Sequence, residues 1–393
     1  MRGLQDRDIA IIGFGTTKLT RKGGRGAIDL AGEAADIALR HAGVERAQID
    51  GFATTMAMSD APNPFWSNLV LESLDLNVGW CQATDIGGGS ALANIARAGA
   101  AIRSGMCETV LCVAADAVST IDRTWQHGHR TEFCDLLGYA GPLTVFGLLG
   151  SVYAERHGWP EAALGKLAVA QRRGALLNEH ACEVLRKPLS MDDYFASRLV
   201  CDPLRMLDCV MRVDGATAFV VTSTQRAKQM GVRKMAHPIA YREAHNIDPL
   251  RQDDDLLRTG FGELAPRLFA DAGMTPRQVD MLQPYDDFTL ALVLQLEQLG
   301  FCAPGQASAF IAEHAFGFDG DLPLNTGGGL LSAGQVGSAS GGLNLHEGLT
   351  QLFGEAGERQ VKRHHNALVT GIGIMQYARG WAASNAMILE RGE

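Results

Sequence analysis

One short pattern occurs twice in this chain at a constant offset, and it limits the fold more than any other feature. Ala42-Gly43-Val44 followed by Gln48-Ile49-Asp50 returns as Ala272-Gly273-Met274 followed by Gln278-Val279-Asp280. Each copy closes a stretch with helical apolar spacing and leads into a strand-like run. A tandem duplication of one α/β unit accounts for both the match and its context. At 393 residues the chain is long enough for one large duplicated fold.

The elements around the repeat alternate. Asp8–Phe14 is an apolar run ending at glycines, and reads as a buried strand. Ala27–Ala42 is helical and stops at Gly43; Ile49–Thr54 is a second strand. Ser90–Ile102 is an alanine-rich helix, and Thr109–Ala115 is a continuous apolar strand. The rhythm predicts a mostly parallel sheet with helices on its faces. The second copy ends in a matching strand, Ala367–Gly373. Between the copies, Ser119 to Leu204 reads as an insertion, after which Val213–Thr222 returns to the first half.

Composition removes several classes of function. Hydrophobic residues make up 46% and charged residues 20%, which suits a large core and not a disordered chain. A net charge of -9 argues against nucleic-acid binding. No apolar run of membrane-spanning length occurs. Met1–Ile12 is too polar for a signal peptide, so a cytoplasmic location is expected. None of the eight cysteines forms a CxxC pair, which predicts free thiols and no metal site.

Three blocks then make the chain specific. They are Pro284-Tyr285-Asp286-Asp287-Phe288-Thr289, Leu296 through Cys302, and Leu322-Pro323-Leu324-Asn325-Thr326-Gly327-Gly328-Gly329 continuing to Gly341. With the duplication and the insertion, they resemble the thiolase superfamily, within it the sterol-carrier-protein type thiolases and their lipid-transfer-protein relatives. The resemblance implies an α/β thiolase fold with duplicated α-β-α-β-α layers and an inserted loop domain. It divides the chain into an N-terminal half (1–118 and 205–233), the insertion (119–204) and a C-terminal half (234–393). It also implies a homodimer formed edge to edge between central sheets.

The thiolase chemistry is missing. A thiolase places a cysteine thiolate at the N-terminus of a buried helix, where the dipole lowers its pKa. Anchored on Ile102 and Gly105, that position falls on Gly88, followed by Gly89, Ser90 and Ala91. Cys81, upstream on the preceding strand, is expected to be a buried small hydrophobe. The histidine of the Gly-His-Pro motif becomes Gln335 in Gly334-Gln335-Val336. The second cysteine falls near Val369, and no cysteine follows Cys302. Glutamine takes no proton near neutral pH, so Claisen chemistry by the usual route is excluded.

A branch lacking this cysteine resembles the retro-aldolases of steroid side-chain degradation. They cleave the Cα–Cβ bond of a β-hydroxyacyl-CoA without an acyl-enzyme. Two tyrosines are implicated there: Tyr285 matches one, and Gln335 stands at the other. The expected catalytic residues are Tyr285, Gln335 and Asp286, with Asp286 or Asp287 orienting Tyr285 or capping the following helix. The expected substrate-binding residues are Gly88, Gly89, Ser90, Gly328, Gly329 and His127, with Arg123, His129 and Arg130 near His127. His346 reads as a surface or packing histidine. No cofactor beyond the substrate's CoA is expected. The resemblance implies a small OB-fold and zinc-ribbon partner and a bulky or steroid-like acyl chain. Two other readings stand beside the lyase: an acyltransferase with an atypical nucleophile, Ser90 or Cys81, and a non-catalytic acyl-CoA-binding subunit.

Overall fold

The computed structural model describes residues 7–61, 63–121, 138, 141–245, 255–374 and 381–392. Its strands are β1 (Ile9–Thr16), β2 (Gly51–Thr54), β3 (Trp80–Ala83), β4 (Thr109–Asp116), β5 (Leu199–Cys201), β6 (Leu204–Arg205), β7 (Gly215–Ser223), β8 (Ala236–His245), β9 (Leu282–Gln283), β10 (Asn366–Ile374) and β11 (Trp381–Arg391). Its helices are α1 (Ala27–Ala42), α2 (Trp66–Ser73), α3 (Ser90–Arg103), α4 (Pro142–His157), α5 (Glu161–Leu177), α6 (Met191–Ala196), α7 (Thr224–Gln229), α8 (Gly260–Ala272), α9 (Thr289–Gln298), α10 (Ala307–Glu313), α11 (Gly329–Ala333) and α12 (Gly341–Leu352).

Three of the repeated residues, the glycine, the glutamine and the aspartate, do the same work in both copies. Gly43 (φ 66°) and Gly273 (φ 63°) end α1 and α8 in the left-handed conformation, which side-chain-bearing residues rarely adopt. A single 3₁₀ turn follows each. The Gln48 side chain accepts from the Glu45 amide at 2.9 Å, as Gln278 does from Thr275 at 2.8 Å. Asp50 then accepts from the amides of Glu108 and Thr109 at the start of β4, and Asp280 from that of His365 just before β10.

The strand order is β3-β2-β4-β7-β1-β8-β11-β10-β9. Read outward from the centre, β1-β7-β4-β2 corresponds to β8-β11-β10-β9. β1 and β8 meet through a single residue pair, Ile11 and Ala236. The expectation of a mostly parallel sheet is corrected. β2 runs parallel to β3 and β4, and β9 to β10, but β7 is antiparallel to β4 and β1, and β11 to β10 and β8. The β-α-β units are right, but in each half the chain comes back through one antiparallel strand.

Alternation along the strands builds five layers. Leu111, Val113 and Ala115 of β4 pack on α1. Val110 and Cys112 of the same strand face a central layer holding Leu92 and Ile95 of α3 and Leu345 and Leu349 of α12. Ala367 and Val369 of β10 meet that central layer from the other side, while Leu368 and Ile372 face α8 and α9. Helices α4 to α6 dock on this second outer face. Phe146 stacks on Phe288 at 4.2 Å, the Tyr153 hydroxyl donates to Glu297 at 2.7 Å, and the Thr289 hydroxyl donates to Asp208 at 2.6 Å. Helix α4 and the turn at Asp208 therefore grip the segment that carries Tyr285. Among the described residues, no helix is long and apolar enough to cross a membrane.

Candidate active site

The duplication brings two equivalent turns face to face. The 3₁₀ turn Gly87–Gly89 enters α3, and Gly337–Ala339 enters α12. Ser90 Oγ accepts from the Ile86 amide at 3.0 Å, and Ser340 Oγ from the Val336 amide at 2.9 Å. A Cβ on Gly341 would stand 1.9 Å from the Gly88 carbonyl, so the two helix starts touch through backbone. Their positive ends point to one region, which favours negative charge developing there.

Tyr285 occupies that region. It is 2% exposed. Its amide donates to Thr370 Oγ1 at 2.8 Å and its carbonyl accepts from Gln295 Nε2 at 2.8 Å. A Cβ on Gly88 would lie 2.2 Å from Tyr285 Cε2 and 2.4 Å from its hydroxyl oxygen. No carbon fits at those separations, so the tyrosine ring fills the space a side chain at position 88 would need. Its hydroxyl interacts with Asp287, Ser340 and Gln335. Burial first, and the charge of Asp287 second, hold the phenol well above its ordinary pKa.

The neighbouring carboxylates diverge, as adjacent residues on an extended segment must. Asp286 is fully buried and accepts from the Leu330 amide (2.8 Å), the Leu331 amide (3.1 Å), Gln171 Nε2 (2.8 Å) and, more weakly, Asn344 Nδ2 (3.5 Å). Burial pushes it up to about 6 against those donors. Its place is a junction between α5, α11 and α12, where its hydrogen-bond partners are all buried donors. Asp287 is partly exposed, its Oδ1 is enclosed with no hydrogen-bond partner, and its carboxyl and the Tyr285 phenol shift one another electrostatically. Burial, then the charge of Asp286, pushes Asp287 up to about 7. Asp286→Ala would strand several buried donors, at a cost of about 3 kcal/mol. Urea unfolding of the purified variant measures this.

The other expected residues divide. Gln335 is partly exposed beside Tyr285, its backbone bonded to Met211 and Val213. Gly88 and Gly89 form the turn against the tyrosine. Ser90 is fully buried, and its hydroxyl accepts from the Ile86 amide, closing the turn that precedes α3. Gly328 and Gly329 serve close packing: a Cβ there would meet Ala175 at 2.7 Å and Asp286 Oδ2 at 2.3 Å. Cys81 is not buried as expected but exposed on the edge strand β3, which has no strand on its outer side among the described residues. His346 packs edge-on against Phe14 and His180, and burial holds it well below its ordinary pKa. His127, with Arg123, His129 and Arg130, lies outside the described residues, as does Tyr377.

A cleft with about 320 Å³ of internal space opens between α5, the segment 206–211 and α11. Its walls run on into the loops that carry Asp287 and Gln335: the Val210 amide donates to the Asp287 carbonyl at 3.2 Å, and the Gln335 amide to the Met211 carbonyl at 2.9 Å.

A duplicated five-layer fold with a tyrosine in the nucleophile's space defines a thiolase-like protein without a thiol at its centre. The family model described as Thiolase C-terminal domain-like matches residues 243–391. A steroid side-chain-cleaving aldolase of Thermomonospora curvata is 30% identical, over 84% of this chain and 88% of its own. A 17-hydroxy-3-oxo-4-pregnene-20-carboxyl-CoA lyase of Mycobacterium tuberculosis is 29% identical, over 93% of this chain and 96% of its own. The solved Ltp2-ChsH2(DUF35) aldolase superposes with a TM-score of 0.84 at 26% identity, covering 98% of both chains. The chain belongs to the sterol-carrier-protein type, thiolase-like family, in the branch that resembles the steroid side-chain aldolases.

Proposed function

We propose that this chain is a carbon–carbon lyase that cleaves the Cα–Cβ bond of a β-hydroxyacyl-CoA, with Tyr285 and Asp287 moving the proton. The observation that carries this reading is the Tyr285 ring in the space of the nucleophile, its hydroxyl against Asp287. A phenol held this high is not a free base near neutral pH, whereas a carboxyl near 7 is half-ionised there. The substrate's β-hydroxyl gives its proton to the Tyr285 oxygen as Tyr285 passes its own to Asp287. The O–H electrons become the new carbonyl, the Cα–Cβ bond breaks, and its electron pair forms the thioester enolate. The converging helix starts stabilise that enolate. The proton returns through Tyr285 to Cα, leaving a ketone or aldehyde and a shorter acyl-CoA. Gln335 donates a hydrogen bond to the thioester oxygen and takes no proton.

The names of the two relatives support a bulky, steroid-like acyl chain. The DUF35 component in the name of the solved aldolase supports a small OB-fold and zinc-ribbon partner. The decisive assay incubates the chain, with and without that partner, with a β-hydroxyacyl-CoA and follows carbonyl product. Binding without product under both conditions would leave an acyl-CoA-binding subunit. The described cysteines are free thiols, in keeping with a reducing cytoplasm.

Asp287 must be ionised to accept the proton. The rate therefore rises with pH and levels off above about 7. In Asp287→Asn the remaining rate loses that acid limb. A kcat/KM profile of both proteins checks it, and an unchanged limb in the variant would remove Asp287 from the reaction.

An open β3 edge supports a homodimer joined there. Beside it Phe65 is 69% and Leu69 38% exposed, an apolar margin suited to a second copy. Phe65→Asp with Leu69→Asp should give monomers in sedimentation velocity.

A further inference from the structure

Arg172 is a buried cation without a counter-ion. On α5 it is 8% exposed, its Nε donates to Ser332 Oγ at 3.2 Å, and its Nη1 donates to the Lys187 carbonyl at 3.1 Å. No described carboxylate pairs with it, although the chain as a whole is acidic. Burial alone lowers its pKa, with no opposing charge acting on it. Its neighbours on α5 are both engaged, Gln171 with Asp286 and Arg173 with Asp319. A guanidinium kept out of water without an anion costs stability, and a ligand that brings the anion recovers it.

The surroundings describe that ligand. Arg172 lines the 320 Å³ cleft, whose other walls include Leu185, Leu189, Leu207 and Val210. Arg21 lies at the same cleft, exposed, with Nη1 on Met211 Sδ at 3.0 Å and no described carboxylate partner. An apolar body with an oxyanion matches this lining. Ser332, which holds Arg172, is three residues from Gln335, so the Cα atoms of Ser332 and Gln335 lie within about 11 Å of each other, with the 3.2 Å bond from Arg172 to Ser332 beyond that.

We infer that Arg172, with Arg21 outside it, binds a carboxylate on the acyl part of the thioester, remote from the reacting carbons. This rests on the acyl-CoA reading above, but binding tests it without turnover. The probes are suberyl-CoA (the monothioester of octanedioic acid), octanoyl-CoA of the same chain length, and free CoA. The full chain should bind suberyl-CoA at least about tenfold more tightly than octanoyl-CoA by calorimetry, as a desolvated charge pair requires. Arg172→Gln should abolish that preference, leave free CoA unchanged, and melt no lower than the parent. The wild-type comparison decides even if the variant misfolds. Equal affinity for the two thioesters would overturn the inference. So would a parallel loss of free-CoA binding in Arg172→Gln, which would assign the guanidinium to a CoA phosphate. Failure of the lyase assay with the carboxylate preference intact would overturn the proposed reaction and leave this site standing.

Discussion

Gly88→Cys, which puts the thiolase nucleophile back at its own position, gives a protein with no acyl-transfer activity and about a hundredfold less lyase activity. A Cβ there overlaps the Tyr285 ring at 2.2 Å and its hydroxyl at 2.4 Å. The ring is fixed by the Thr370 and Gln295 bonds to its own backbone, so it moves only by straining that loop. Such overpacking costs about 1–3 kcal/mol of stability. The hydroxyl also shifts away from Asp287 and Ser340, and small displacements of a catalytic group carry rate losses of this size. Nor does the new thiol work: Gln335 cannot deprotonate it, and no cysteine stands on β10 as second acid. Thiolysis and carbonyl-release assays on one preparation, beside a thermal melt, measure all three effects. Acyl transfer in Gly88→Cys would mean that the tyrosine yields its place easily.

Tyr285→Phe keeps the ring and removes one oxygen, so the packing against Gly88 stays. The lyase rate falls by about a thousandfold, within the range for loss of a positioned proton donor. Binding of an unreactive acyl-CoA changes little, and the loss appears in kcat. The result separates chemistry from packing: a ring needed only to fill space predicts full activity in the variant, while a catalytic hydroxyl predicts a folded, binding-competent protein without turnover.

The repeat around Gly43 and Gly273 was legible because left-handed helix ends, a glutamine-closed turn and a strand-tying aspartate all need particular residues. Gly88 was visible as a departure from the thiolase pattern, and Tyr285 as a match to the aldolase-like branch. That they are one feature, a ring in the place of a side chain, was not. They are far apart in sequence, and only the β9–α9 loop crossing to the first half joins them. Asp286 and Asp287 were indistinguishable for a related reason. One points at buried amides of α11 and the other at a phenol, and neither set of partners is near in sequence. The likeness of the two turns closed by Ser90 and Ser340 escaped notice because Gly-Gly-Gly-Ser and Gly-Ser-Ala-Ser share backbone geometry more than residues. The antiparallel direction of β7 was misjudged because an apolar run does not encode its direction, and β11 was not read as a strand. Cys81 was misplaced because an edge strand and an inner one read alike until the neighbours are known.

The central claim is that bond cleavage proceeds with no covalent link to the chain. The direct measurement supplies a β-hydroxyacyl-CoA labelled in its acyl part, stops the reaction in acid during turnover, and counts label on the denatured protein and in the products. The account predicts carbonyl compound and shortened acyl-CoA in equal amounts, an unlabelled protein, and no products from Tyr285→Phe. Label that stays on the denatured chain would contradict it and return the site to acyl-transfer chemistry.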